Sequence, residues 1–147
     1  MLFGSGDNLQ LSSTVTYTML PDCECGCFFN QSSGYIVTSS LTDCPSERIW
    51  LIRVSDELLV RLTFIRFDAQ RGTVRVHDGD SSLSNLLVQI HGGSAVLPQP
   101  LTSAGNIIRV EYILPSTQPS GMDVVTGGFV ALYAAVSTYG SCYLQER

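Results

Sequence analysis

Across residues 49–79, apolar and polar residues alternate in three short runs. A turn at Ser55-Asp56-Glu57 separates the first two, and Asp78-Gly79 closes the last. Alternation at period two marks strands with one buried face. It predicts strands over 49–54, 58–67 and 73–77. Upstream, 35–38 reads as a short strand, and 9–11 and 15–19 as strand-forming pieces ended by Pro21-Asp22. Downstream come 86–90, a short apolar piece at 95–97 before Pro98-Gln99-Pro100, then 106–114 and 129–136. Ile108, Val110 and Tyr112 share one face of the 106–114 run. The last run is apolar on both faces, as expected of a central strand. Turns fall at 30–34 and 78–82, and loops at 39–48 and 115–128, all rich in Ser, Gly, Pro, Asn and Asp. No helical period beyond about two turns is present.

Many short strands joined by Gly, Pro and Ser turns indicate an all-β antiparallel two-sheet sandwich of the jelly-roll kind. Two sheets packed face to face would bury Trp50, Ile52, Leu62, Phe64, Val74, Val76, Val110, Tyr112, Phe129 and Leu132. With 147 residues the chain fits one domain and can bury a core of its own. We expect an N-terminal extension at 1–22, the sandwich at 23–136 and a tail at 137–147.

Only 14% of the residues are charged and 44% are hydrophobic, which argues against a disordered chain. No apolar run is long enough for a transmembrane helix, so no membrane insertion is expected. Residues 1–10 lack a basic segment followed by an apolar one. A secreted form would therefore reach this sequence as a mature segment. The net charge of −5 speaks against nucleic acid as a partner. Every basic side chain is Arg, and Arg53, Arg61, Arg66, Arg71 and Arg75 cluster within 23 residues. Alternation makes most of them outward-facing strand positions.

Cys23, Cys25, Cys27, Cys44 and Cys142 complete the sulfur inventory. Zinc sites use Cys pairs two to four residues apart, with a second pair or two His. Here the spacing is one residue, and His77 and His91 lie far downstream. A disulfide framework formed in an oxidising compartment is the better reading. Five is odd, so one thiol is left free or pairs outside the chain. Asp78 and Asp80 read as turn residues before metal ligands. A lone His91 next to Gly92-Gly93 reads as a half-buried polar ring, with no partner that would make it catalytic. No nucleophile elbow, zinc-protease helix or phosphate loop is present, so no enzyme and no cofactor is expected. Asn30-Gln31-Ser32 is an N-glycosylation sequon in a predicted surface turn.

The order of motifs resembles a CUB domain, an extracellular β-sandwich module, over about three quarters of the chain. Cys25-Gly26-Cys27 stands where CUB domains open with Cys-Gly-Gly. Gly34-Tyr35-Ile36, Cys44 before Trp50, Leu62-Thr63-Phe64-Ile65-Arg66-Phe67 and Val74 to Asp78-Gly79 follow in order. Asn106 to Tyr112 and Gly128-Phe129 to Tyr133 then complete the pattern. The resemblance implies a Cys25–Cys44 bridge, whose loop of about 20 residues would stabilise by about 3 kcal/mol. The family's second bridge is missing at both ends, the later position reading His91-Gly92. We expect Cys142 to pair instead with Cys23 or Cys27, which leaves the other free or intermolecular. Calcium-binding CUB domains carry acids at positions matching Gln70, Gly72 and Pro115. None is acidic here, and no metal is expected.

The resemblance implies a non-catalytic extracellular protein-binding module of a secreted or cell-surface protein. Its partner would be an extracellular protein, with a glycan as a second ligand class. The alternative is a self-assembling structural jelly-roll subunit of a coat or matrix, since an unpaired Cys would suit a homo-oligomer.

Overall fold

The computed structural model describes residues 23–39, 44–69, 72–94, 96–114 and 128–138. The strand-forming pieces at 9–11 and 15–19, the loop at 115–127, Cys142 and nearly all of the expected extension and tail lie outside them. The strands are β1 Gly26–Phe29, β2 Ser33–Ser39, β3 Glu47–Arg53, β4 Leu58–Phe67, β5 Thr73–Asp78, β6 Asn85–His91, β7 Leu101–Thr102, β8 Ile107–Ile113 and β9 Gly128–Ser137. They form a five-stranded sheet, β1-β3-β8-β5-β6, and a four-stranded sheet, β2-β9-β4-β7. Every neighbouring pair is antiparallel except β1 with β3. The chain is an all-β, two-sheet sandwich.

Alternation sets which side chains meet between the sheets. Trp50, Ile52, Leu62, Phe64, Val74, Val76, Val110, Tyr112 and Phe129 are all buried. Each such side chain stabilises by roughly 1.5–3 kcal/mol relative to exposure. Leu132 is the exception and is only half-buried. It lies three residues from Phe129, an odd offset that turns it to the opposite face, and Tyr133 takes the inward place.

Phe129 is the hub of the core. Its ring meets Trp50 and Tyr112 edge-on, at 5.8 and 5.3 Å between centroids, and Phe64 at 5.7 Å. Phe67 also packs on it, at 6.3 Å. Phe64 and Phe67 are three apart, so a regular strand could not aim both inward. The register along β9 shifts between Phe64 and Arg66, leaving Ile65 as the extra, exposed residue. This β-bulge resets the parity. It is the physical reason for the Leu-x-Phe-x-x-Phe spacing.

Two elements were not legible. β1 carries adjacent Phe28 and Phe29 and no alternation, and it forms by pairing with β3. The apolar piece at 95–97 forms no strand among the described residues; the short partner of β4 is β7 instead.

Candidate binding surface

The Cys-x-Cys-x-Cys run sits where β1 begins. Gly26 has φ +117°, and a Cβ there would collide with the Ile49 backbone, so only Gly lets β1 lie this close to β3. Cys25 is bridged to Cys44, with Cα atoms 5.3 Å apart, and Cys23 to Cys27, at 4.9 Å. The expected pairing of Cys142 with Cys23 or Cys27 is therefore corrected. The two candidates are bonded to each other, because the turn ahead of Gly26 already brings them within disulfide reach. Cys27 is accordingly not the free thiol.

The same corner buries polar groups and pairs them. Trp50 Nε1 donates to Cys23 O at 2.6 Å, and Thr38 Oγ1 donates to Glu24 O at 2.9 Å. Arg48 faces inward beside Trp50, and its guanidinium lies 5.5 Å from the Tyr112 ring centroid. It donates to Thr38 Oγ1 at 3.1 Å and to Pro45 O at 3.3 Å. Burial pushes the Arg48 pKa down, against the opposing pull of Tyr112 and Glu24. Sequence reasoning missed this residue, although its offset of two from Trp50 places it on the inward face.

The two histidines have different roles. His77 is buried: its Nδ1 lies 3.0 Å from Ser84 O and its Nε2 3.5 Å from Glu111 Oε1. Arg109 Nε donates to Glu111 Oε2 at 2.6 Å. This buried group ties the turn after β5 to β8 and offers no access to a substrate. His91 is exposed, not half-buried as expected, because β6 is a sheet edge. Its Nε2 lies 3.2 Å from Gln89 Nε2, and Gln89 Oε1 accepts from Arg75 Nε at 2.9 Å. Asp78 is the last residue of β5 and not a turn residue as expected; both of its carboxylate oxygens accept from Ala104 N, at 3.0 and 3.1 Å, and Asp80 is exposed just beyond the strand. Arg53, Arg61 and Arg66 point outward; Arg71 lies outside the described residues. Asn30 is exposed at the end of β1.

Exposed apolar side chains gather around β6. Leu83 is 93% exposed, Val96 76%, Leu86 49% and Leu97 40%. An open groove of about 450 Å³ runs between the end of β6 and the 96–98 segment. Val88, Ile90, Gly92, Gly93, Val96 and Pro98 are among the residues that line it. Among the described residues β6 is also the outer strand of its sheet, and it carries no Lys, Arg, Asp or Glu, the kind of edge an extended segment can join.

No protein-family model matches the chain. Among solved structures, the CUB1-EGF-CUB2 domains of rat MASP-1 align at TM-score 0.58 and 21% identity, over 80% of this chain and 45% of that one. The MASP-1 CUB2 domain bound to Ca²⁺ aligns at TM-score 0.54 and 19% identity, over 73% of this chain and 96% of that one. This is a CUB-like domain. The full extracellular region of zebrafish Gpr126/Adgrg6 also aligns, at TM-score 0.57 and 21% identity, over 78% of this chain. The CUB-like domain spans 15% of that region, and less than half of the two-CUB MASP-1 chain.

The MASP-1 CUB2 domain is bound to Ca²⁺; the positions expected to match calcium ligands are Gln70, Gly72 and Pro115. Of the three matching positions, Gln70 and Pro115 lie outside the described residues. Gly72 has φ +93°, and a Cβ there would stand 2.8 Å from Ile113 O. The backbone itself thus excludes an Asp side chain at this position. Among the described residues, no group of three His, Cys, Asp or Glu could hold a metal ion. No helix among them is long and apolar enough to cross a membrane.

Proposed function

We propose that this CUB-like domain is a non-catalytic, extracellular protein-binding module of a secreted or cell-surface protein. It engages an extended apolar segment of its partner along β6. The observation that carries this reading is the exposure of Leu86, Val96 and Leu97 along and just beyond β6, which among the described residues is an uncharged outer strand of a CUB-like sandwich. Two disulfides support an oxidising, extracellular setting. The strand edge would supply main-chain hydrogen bonds and the groove a pocket for alternate side chains. A fold of this kind does not by itself name its ligand.

The test uses the full chain as bait in extracellular fluid, beside L86R and V96D variants with unchanged melting temperature. A partner that binds the wild type and is lost from both variants supports the reading. A partner retained by both overturns the assignment to β6. Light scattering with and without reductant separates the assembly alternative: the module is a monomer in both, whereas a thiol-sensitive multimer favours a coat or matrix subunit.

A further inference from the structure

Phe28 is half exposed, at 52%, on the outer side of β1, the strand at the other edge of the five-stranded sheet. The Arg53 guanidinium lies 5.9 Å from its ring centroid. Two residues on is Asn30, the spacing at which an extended chain presents side chains on one side. Asn30, Gln31 and Ser32 are all exposed and form the link from β1 to β2. Two of their carbonyls are held. Ala135 N donates to Ser32 O at 2.7 Å, and Tyr133 Oη donates to Gln31 O at 3.2 Å. An exposed acceptor sequon thus lies two residues from a half-exposed aromatic ring that, among the described residues, carries the Arg53 guanidinium over it.

We infer that Asn30 carries an N-linked glycan whose first sugar stacks on Phe28 beside β1, the outer strand of the sheet among the described residues. This rests on the extracellular reading above. In the attachment step, the Asn30 amide nitrogen attacks the anomeric carbon of an oligosaccharide held on a lipid pyrophosphate. The new N–C bond forms as the C–O bond to the phosphate breaks. The pyrophosphate leaves with the electron pair, and the amide gives up one proton. The C–H face of the sugar then packs on the ring by dispersion and by attraction to its negative face. The Arg53 guanidinium lies over one side of the ring, leaving the other for the sugar, and can donate to sugar hydroxyls at the ring's margin. A glycan here blocks strand pairing at β1. It leaves β6 clear, four strand spacings or about 19 Å across the sheet.

The test expresses the full chain behind a cleavable leader in a eukaryotic secretory host. Intact mass before and after enzymatic removal of N-glycans reads occupancy, with N30Q and S32A as controls. The glycan should raise the melting temperature of the wild type by about 2–4 °C, and F28L should abolish that rise while still folding. Protons of the first sugar should be shifted upfield by the ring in the wild type and not in F28L. A secreted, disulfide-bonded chain with bare Asn30 overturns the inference and leaves the extracellular reading intact. An occupied Asn30 whose thermal gain and sugar shifts are the same in F28L overturns the stacking. Misfolding and retention of wild type and N30Q alike overturn both readings.

Discussion

The two edges of the five-stranded sheet are held by different means. At the β1 edge, two disulfides, the buried Trp50 indole bond to Cys23 O and the Arg48 guanidinium all converge on one corner. At the β6 edge, the start of β5 and the end of β6 are joined by backbone hydrogen bonds. Gly92 N donates to Gly72 O at 2.8 Å, and Gly93 N to Ala69 O at 2.9 Å. CUB domains that carry a second bridge place it near these ends, and here Thr73 pairs directly with His91. A disulfide acts mainly by restricting the unfolded chain, whereas a hydrogen bond acts in the folded state. The β1 corner is therefore expected to be the more costly to disturb, and the β6 edge the one left adaptable for a partner.

The largest effect expected is at the covalent corner. Replacing Cys25 and Cys44 together by Ala should cost about 3 kcal/mol, and replacing Cys23 and Cys27 about 2 kcal/mol, since the second loop is shorter. Urea melts of the two double variants check the order, and equal losses would remove the loop-length explanation. Non-reducing peptide mapping tests the pairing itself.

At the other edge, Gly72→Ala should cost about 2 kcal/mol, because it forces a side chain into positive φ and against Ile113 O. Gly105→Ala, where an added Cβ meets nothing within 4 Å, should stay within about 0.5 kcal/mol of the wild type. Similar losses for both would mean that the backbone at Gly72 is not the constraint described.

A graded effect is expected at alkaline pH. Burial pushes the pKa of Tyr112 and of Tyr133 above the ordinary 10.0; beside Tyr112 the Arg48 charge opposes this, and at Tyr133 the bond to Gln31 O does. Both folded-state values are raised, so the stability they contribute is complete below the unfolded value. It is lost as pH rises above 10, where the unfolded chain releases its phenolic protons first. Tyrosinate absorbance should lag in the folded protein and appear together with unfolding. Tyr112 Oη has no hydrogen-bond partner among the described residues. Tyr112→Phe should therefore leave the neutral-pH melting temperature unchanged or higher and lessen the alkaline loss.

The smallest effect expected is from calcium. Millimolar Ca²⁺ in place of EDTA should leave the melting temperature unchanged. A rise of several degrees would show a native-state site and contradict the exclusion at Gly72.

The alternation at 58–67 and 106–114 and the inward set around Trp50 were legible because a half-buried strand writes its two faces into the chain at period two. The outward arginines followed from the same rule. Residue order alone also carried the CUB resemblance, including Cys25 and Cys44. β9 was legible as central but not in its facing, since a strand apolar on both sides carries no contrast; hence the misassigned Leu132. What tertiary structure decided were relations between distant segments. The parallel pairing of β1 with β3, the Cys23–Cys27 bridge and the inward Arg48 depend on which atoms come close after the sheets form. So do the backbone exclusion of a side chain at Gly72 and the edge position of β6. Periodicity reports the environment of one strand at a time, and none of these is a property of one strand.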